Sequence, residues 1–223
     1  METMETTGAD VSQLRTAYNV DTFTEDQLTS HTDPFQQFHS WFQEALESIP
    51  EPQAMCISTA TRDGRPSSRM VLMKKYDQDG FRFYTNYLSR KGCELTDNPN
   101  ACILFYWEKL HRQVRIEGKV QRLSEEESIS YFSTRPRPSQ ASACASMQST
   151  TVTSRRELEE KMQSILELYP KGTPIPKPDY WGGYVLVPDM FEFWHGQSSR
   201  LHDRIVFTKD EQTGIWERKR LSP

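Results

Sequence analysis

Apolar residues recur along the chain with two different periods, and the change of period separates its predicted elements. From residue 34 to residue 49 they recur every three or four positions, as on the buried face of an α-helix. Asp33 precedes this run and Pro34 begins it. Aspartate commonly caps a helix N-terminus and proline fits the first helical position. Pro50 and Pro52 end it. The pattern predicts an amphipathic helix.

Beyond residue 53 most apolar runs are short and alternate with polar residues, which is typical of β-strands. Turn sequences containing glycine, proline or aspartate separate them, so consecutive strands are expected to form antiparallel hairpins. The predicted strands cover residues 54–61, 68–76, 81–86, 101–107, 112–123, 184–187, 190–195, 200–208 and 215–221.

Further helices interrupt these strands, two of them opened by capping boxes of the form Ser-x-x-Glu. They are predicted to begin at Ser89, Ser124, Ser139 and Ser154. The regular strand–helix alternation of a parallel sheet is missing. The chain is therefore predicted to be mainly β with flanking helices, forming an antiparallel barrel or a strongly curled sheet.

Composition places this sheet in one domain. The chain has 223 residues, of which 35% are hydrophobic, enough for a single core. Residues 1–30 lack a clear period and are rich in threonine, glutamate and aspartate, so we expect a flexible N-terminal arm before a domain over residues 31–223.

Charge and targeting signals narrow the function classes. A net charge of −4 argues against a dedicated nucleic-acid binder. No apolar run approaches the roughly 20 residues of a membrane helix, and the N-terminus resembles no secretory signal, so a cytoplasmic protein is expected. The four cysteines show no spacing typical of zinc ligands, so no metal site is predicted.

Cationic side chains gather near the C-terminus, in the stretch 191–207. Strict alternation after the Gly-Gln-Ser-Ser turn would put Arg200, His202 and Arg204 on one face of a strand. Two guanidiniums and an imidazole on one face suit a phosphate or an electron-rich ring. The alternative is a solvated face paired with carboxylates.

Other candidate anion ligands lie earlier. Arg69 and Lys74 bracket an apolar run, although alternation puts them on opposite faces, so either a bulge intervenes or they serve two anions. Arg90 and Lys91 open a helix, where free N–H groups favour an anion. Glycine-rich phosphate loops, catalytic triads and paired carboxylates are missing from the sequence. This combination is typical of an enzyme whose organic cofactor performs the electron chemistry.

Several motifs stand in the order of one known family. They are Arg-Met-Val-Leu-Met-Lys at 69–74, Phe-Arg-Phe-Tyr-Thr-Asn at 81–86, Ser-Arg-Lys-Gly at 89–92, Phe-Tyr-Trp at 105–107, Arg-Gln-Val-Arg-Ile-Glu-Gly at 112–118, Trp-Gly-Gly-Tyr at 181–184, Glu-Phe-Trp-His-Gly at 192–196 and Arg-Leu-His-Asp-Arg at 200–204. From about residue 12 onward the chain resembles the pyridoxine (pyridoxamine) 5′-phosphate oxidase family. The resemblance implies an FMN-binding split β-barrel, antiparallel and Greek-key-like. It also implies a homodimer with FMN at the subunit interface, acting on phosphorylated B6 vitamers and O2.

The resemblance also implies residue roles. Those implied to bind FMN are Arg69, Met70, Val71, Leu72, Tyr84, Thr85, Arg90, Lys91, Gln113, Gln148, Ser149, Trp194 and Arg204. Those implied to bind the substrate are Lys74, Tyr131, Arg135 and Ser139 at its phosphate, Arg200, Leu201 and His202 at its ring, and Arg15 and Tyr18 in a covering segment. Arg200 and His202 are also the implied catalytic residues.

Three positions depart from the family pattern, and two other functions stay open. His195 stands where glutamine is usual, Ser142 where glycine is common and Cys144 where an aromatic residue is common. Another flavin-dependent oxidoreductase of the same barrel, such as a flavin reductase, would lack the four substrate-phosphate residues. A non-catalytic carrier of FMN or pyridoxal phosphate would use the same residues as the enzyme, so the sequence alone does not separate the two.

Overall fold

Nine strands and five α-helices make up the part of the chain that the computed structural model describes, namely residues 9–14, 18, 20–198 and 200–223. The strands are β1 (Ala54–Ala60), β2 (Pro66–Leu72), β3 (Lys75–Asp77), β4 (Gly80–Asn86), β5 (Asn100–Trp107), β6 (Arg112–Arg122), β7 (Trp181–His195), β8 (Asp203–Lys209) and β9 (Trp216–Arg220). The helices are α1 (Pro34–Ser48), α2 (Arg90–Asp97), α3 (Glu125–Thr134), α4 (Arg137–Ala145) and α5 (Arg155–Leu168).

All strand pairs are antiparallel, in the order β2-β1-β5-β6-β7-β4-β3, with β8 on β7 and β9 on β8. The 15-residue strand β7 changes partner along its length: residues 181–186 pair with β4 and residues 190–195 pair with β8. Because β7 serves two neighbours on one edge, the sheet divides and curls. The prediction of a mainly β fold with flanking helices is confirmed.

Helix α1 closes the curled sheet with an aromatic core. The ring of Phe38 lies 4.9 Å from Phe81 and 5.3 Å from Phe105, and Trp41 meets Phe193 edge-on at 5.4 Å. Phe38 is fully buried. Such rings bury large apolar areas, so this contact is a main source of the fold's stability. Among the described residues, no helix is both long and apolar enough to span a bilayer.

Two predicted strand boundaries were wrong at β7 and β2. Residues 184–187 and 190–195 belong to one strand, because Pro188 lies at a register shift opposite Gly118 and ends no strand there. A Cβ at Gly118 would lie 2.1 Å from the carbonyl oxygen of Val187, so the bulge requires glycine. The predicted strand 68–76 is interrupted after Leu72, where the Met73 N–H donates to the carbonyl of Gln53.

The third wrong boundary concerns residues 200–208. Strand β8 begins only at Asp203, and Arg200 has a left-handed backbone with φ of 62°. The alternation that would put Arg200, His202 and Arg204 on one strand face therefore does not exist. The turn reaches further into the predicted strand because Arg200 N–H bonds back to the carbonyl of Gln197.

The N-terminal segment joins the barrel before residue 31. Phe23 and Leu28 are buried in the main core, and Phe23 lies 4.9 Å from Trp41. The core therefore includes side chains from before residue 31, which the sequence did not indicate because two isolated apolar residues carry no periodic signal. The division into an arm and a domain at residue 31 stays a prediction. Whether the preceding residues form a flexible arm stays a prediction, and residues 1–8 lie outside the described ranges.

His195, at the end of β7, is buried beneath this segment. Its ring lies 6.1 Å from both Phe23 and Trp41, and its Nδ1 atom has no hydrogen-bond partner among the described residues. Burial, together with the charge of Arg112, lowers the pKa of His195 to about 4. The folded protein therefore holds this imidazole in its neutral form.

Replacing His195 with glutamine should reduce the acid sensitivity of the fold. Because the unfolded chain binds this proton near pH 6.5 and the folded chain only near 4, stability is lost as the pH falls through that interval. Between about pH 7.5 and pH 5, we expect the free energy of unfolding of His195→Gln to fall by about 2 kcal/mol less than that of the unaltered protein. Urea unfolding at several pH values measures this difference, and equal losses in both proteins would contradict it.

Candidate active site

A cavity of about 570 Å³ lies between strands β2 and β4 and helices α3 and α4. Eleven predicted ligands line it: Met70, Val71, Leu72, Lys74, Tyr84, Thr85, Lys91, Tyr131, Arg135, Ser139 and Gln148. Seven further residues line it that sequence reasoning missed: Asn86, Thr134, Pro136, Ser142, Ala143, Ser146 and Trp181. Of these, Asn86 ends the motif at 81–86 and Trp181 begins the motif at 181–184, whereas the small residues of α4 gave no chemical signal.

Stacked aromatic rings form one wall of this cavity. Tyr84 stacks on Tyr131 with ring centroids 3.9 Å apart and on Trp181 at 5.6 Å. The guanidinium of Arg135 lies 4.6 Å above the Trp181 ring. Its Nη1 atom is buried and has no hydrogen-bond partner in the described chain. A cation held in this way, with a donor unused, suits an anionic ligand in the cavity.

A second cavity of about 440 Å³ adjoins the first and shares Met70, Lys91 and Gln148 with it. Arg69, Arg90, Ser149, Ser67 and Ser68 complete its lining. Strand alternation predicted that Arg69 and Lys74 lie on opposite faces and left open whether a bulge brings them together or each serves its own anion. Arg69 lines the second cavity and Lys74 lines the first, because the strand breaks between them.

Lys91 is a buried ammonium between the two cavities. Its Nζ atom donates to Thr85 Oγ1 and Gln148 Oε1, both at 3.0 Å. Within the described ranges no carboxylate forms an ion pair with it. Burial and the nearby charge of Arg69 lower the pKa of Lys91 to about 8. A bound anion would remove this penalty, which favours an anionic ligand here.

Glu94, which sequence reasoning missed, orders the arginines of the second cavity. Its buried carboxylate accepts from Thr59 Oγ1 at 2.5 Å, Ser67 Oγ at 2.6 Å and Arg90 Nε at 2.9 Å, and it pairs with Arg69 at 3.4 Å. Burial opposes its ionisation, but these hydrogen bonds and the charge of Arg90 hold the pKa of Glu94 at about 2. A lone glutamate inside a predicted helix gave no signal of this role.

The remaining predicted flavin ligands lie on the outer face of the sheet. Gln113 of β6 is paired with Trp194 of β7, which is paired with Arg204 of β8, so all three occupy one row across neighbouring strands. Arg204 Nε donates to the buried carboxylate of Glu192 at 2.7 Å. None of the three lines either cavity.

The loop between β7 and β8 extends this outer cluster. Arg200 and Leu201 are exposed, whereas the His202 ring packs 4.8 Å from Trp194. Tyr18 lies 6.0 Å from His202 and 4.5 Å from His111. Arg15, the other predicted residue of the covering segment, lies outside the described residues. The described part of the chain therefore displays two separate groups of predicted ligands.

Comparison with known proteins identifies a family. The family model described as pyridoxamine 5′-phosphate oxidase matches residues 42–169. The model described as the pyridoxine 5′-phosphate oxidase C-terminal dimerisation region matches residues 181–223. The sheet strands β7 to β9, with the outer loop, thus fall in the part matched as a dimerisation region.

Relatives agree along almost the whole chain. A pyridoxine-5′-phosphate oxidase from Bos taurus is 51% identical over 92% of this chain and 79% of its own length. A pyridoxine/pyridoxamine 5′-phosphate oxidase from Bordetella petrii is 51% identical over 96% of this chain and 99% of its own.

Solved structures share the architecture. The crystal structure of PhzG from Burkholderia lata, in complex with tetrahydrophenazine-1-carboxylic acid, superposes with a TM-score of 0.83 at 33% identity, covering 92% of this chain and 99% of that one. An FMN binding protein from Nostoc punctiforme, with a TM-score of 0.66 and 16% identity over 86% of this chain and 98% of that one, shares the fold. The split-barrel prediction is confirmed, and the chain belongs to the pyridoxamine 5′-phosphate oxidase family.

Proposed function

We propose that the protein is an FMN-dependent oxidase of pyridoxine 5′-phosphate and pyridoxamine 5′-phosphate. With O2 it would form pyridoxal 5′-phosphate and H2O2, and the amine would consume water and release ammonia. The observation that carries the proposal is that Arg135, whose guanidinium has an unpartnered nitrogen in the described chain, lines a cavity together with Lys74, Tyr131 and Ser139. A flavin reductase needs no such site for a substrate phosphate.

The substrate phosphate would be held by Arg135, Lys74 and two hydroxyls. Arg135 is fixed on the Trp181 ring, so it offers a preset donor at little further cost in side-chain entropy. Lys74 is exposed, lines the same cavity and would add a second positive charge. Gripping the phosphate in this way would orient the reacting carbon of the substrate.

FMN would lie along both cavities, with its phosphate at the cationic second cavity. The residues fit such a group, because Lys91 is buried with no carboxylate partner in the described part of the chain, while Arg69 and Arg90 are already oriented by Glu94. Met70 to Leu72 supply an apolar strand edge beside them. Bound FMN would supply the oxidising chemistry, accepting a hydride from the substrate and passing electrons to O2.

A homodimer with FMN at the subunit interface would bring the two ligand groups together. The support is that Trp194, Arg204 and the loop residues Arg200 and His202 lie in the part matched as a dimerisation region. Gln113 of β6 pairs with Trp194 and so lies in the same outward-facing row of side chains. Each cavity would then receive the outer cluster of the partner subunit. Arg200 and His202 would contact the substrate ring there.

Tyr18 supports a covering role for the N-terminal segment, since its ring already rests between His111 and the outer cluster. Arg15 keeps its proposed role in the same segment. The cytoplasmic location stays a prediction. A carrier that binds FMN or pyridoxal phosphate without turnover remains the competing function, and the first experiment below separates it from an oxidase.

Anaerobic mixing of the FMN-loaded protein with pyridoxine 5′-phosphate should bleach the flavin absorbance, because an oxidase transfers the hydride without needing O2. Admitting air should then restore the colour and release H2O2. Unphosphorylated pyridoxine, the matched control, should bleach the flavin much more slowly. A stopped-flow spectrophotometer records both steps, and a flavin that keeps its colour with the phosphorylated substrate would identify a carrier.

Variants of Lys91 and Arg135 should separate flavin binding from substrate binding. Lys91→Met should weaken FMN binding roughly ten- to a hundredfold, since a charged hydrogen bond is lost at a buried site. Arg135→Met should leave FMN affinity unchanged and raise the KM for the phosphorylated substrate by a similar factor. Fluorescence titration with FMN and steady-state kinetics measure the two effects, and the reverse pattern would disprove these assignments.

Heterodimers of two inactive variants should recover activity that neither variant homodimer has. Lys74→Ala impairs the cavity and Arg200→Ala the loop, so each homodimer should be nearly inactive. In a heterodimer isolated with two affinity tags, one site combines an unaltered cavity with an unaltered loop, which predicts about half the activity of the parent dimer. A heterodimer as inactive as the two homodimers would show that each site lies within one subunit.

A further inference from the structure

We propose that Asp203 is a positioning residue that fixes the loop carrying Arg200 and His202 by tying it to both ends of the chain. The inference rests on the proposed function, in which Arg200 and His202 of that loop contact the substrate. It assigns a role to Asp203, which has none in the proposed function. Asp203 touches neither cavity. Its role would therefore be exerted through the residues that it holds.

Three segments meet at the Asp203 carboxylate. The backbone N–H of Phe23 donates to Oδ2 at 2.8 Å, and Nε2 of Gln197 donates to the same oxygen at 3.0 Å. Arg220 of β9 donates from Nη1 to Oδ1 at 2.7 Å. The side chain of Asp203 is only 12% exposed, so these are hydrogen bonds to a nearly buried charge and are correspondingly strong.

Gln197 links the Asp203 carboxylate to His202 by hydrogen bonds. Its buried side-chain amide also donates to the backbone carbonyl of Asp21 at 2.9 Å, and its own backbone N–H donates to Nδ1 of His202 at 2.9 Å. A ring nitrogen that accepts a hydrogen bond carries no proton. The neutral imidazole of His202 therefore carries its proton on Nε2, which makes that nitrogen the donor available to a ligand.

The backbone of the loop also needs support from its surroundings. Arg200 adopts a left-handed conformation with φ of 62°, which a residue with a Cβ adopts only when its environment imposes it. Its N–H bonds to the carbonyl of Gln197, whose side chain Asp203 holds. Loss of the Asp203 contacts would let Arg200 and His202 relax together.

Arg220 completes the connection from the C-terminal side. Besides Asp203, its guanidinium binds both carboxylate oxygens of Glu25, at 2.9 and 2.8 Å, and the carbonyl of Phe23 at 3.0 Å. The N-terminal segment, strand β9 and the loop are thereby joined through the two ion pairs of Arg220, one with Glu25 and one with Asp203. A negative charge is needed at residue 203, because an amide of the same shape would present an N–H to one of the three donors.

The test compares Asp203→Asn with Asp210→Asn in the FMN-loaded protein. Asp210 is a suitable control because its hydrogen bonds stay within the turn between β8 and β9. We expect Asp203→Asn to lower kcat/KM at least about tenfold with normal FMN content, while Asp210→Asn behaves as the parent. Arg220→Gln changes a partly exposed side chain and should lower kcat/KM by a smaller factor. This variant replaces Asp203→Asn in the test if Asp203→Asn does not fold.

Nitrogen-15 NMR of the histidine rings gives a readout independent of turnover. The parent should show His202 as a single tautomer with its proton on Nε2, and Asp203→Asn and Arg220→Gln should show a mixture. His202→Gln assigns the signal. An unchanged tautomer in a folded variant would overturn the inference. If the parent fails to oxidise the substrate but the tautomer shifts as expected, the proposed function fails and the positioning role stands.

Discussion

The exchange of partners along strand β7 is the constraint on which the rest of the structure depends. Its first half pairs with β4, beside the cavities, and its second half pairs with β8, on the outer cluster. Trp181 lies at one end and Trp194 near the other, so up to roughly 40 Å of extended strand separates the two ligand groups. A strand paired on both sides cannot fold back on itself. Under the proposed function the two groups would therefore meet between different subunits, in the part matched as a dimerisation region.

Buried carboxylates organise the arginines on both sides of this strand. Glu94 fixes Arg69 and Arg90 beside the second cavity, and Glu192 fixes Arg204 on the outer face, with Arg115 as its second partner. Such arginines are oriented before a ligand arrives, which reduces the entropy lost on binding. Lys91, which is buried, and Arg135, which is half-buried, differ: among the described residues neither has a carboxylate partner, so both favour an anion most strongly.

The sequence predicted what depends on local chemistry. Helix starts at Ser89, Ser124 and Ser154 were correct because each serine caps its own helix. The errors arose where distant contacts decide the outcome. The bulge at Pro188 is possible because Gly118 of β6 lies opposite, and the loop through Arg200 is held by Asp203, which binds Phe23 and Arg220. Glu94 was invisible because its partners come from two strands and a helix. The roles assigned to single residues came from the family motifs, and geometry supports them by placing eleven around one cavity.

The bond between the Phe23 N–H and Asp203 joins residues 180 positions apart. Contacts of such long sequence separation form late, because the entropy of closing the intervening loop must first be offset by other contacts. During synthesis the barrel strands up to β6 emerge long before residue 203 or residue 220 exists. The loop that carries Arg200 and His202 can therefore take its final shape only after residue 220 has left the ribosome.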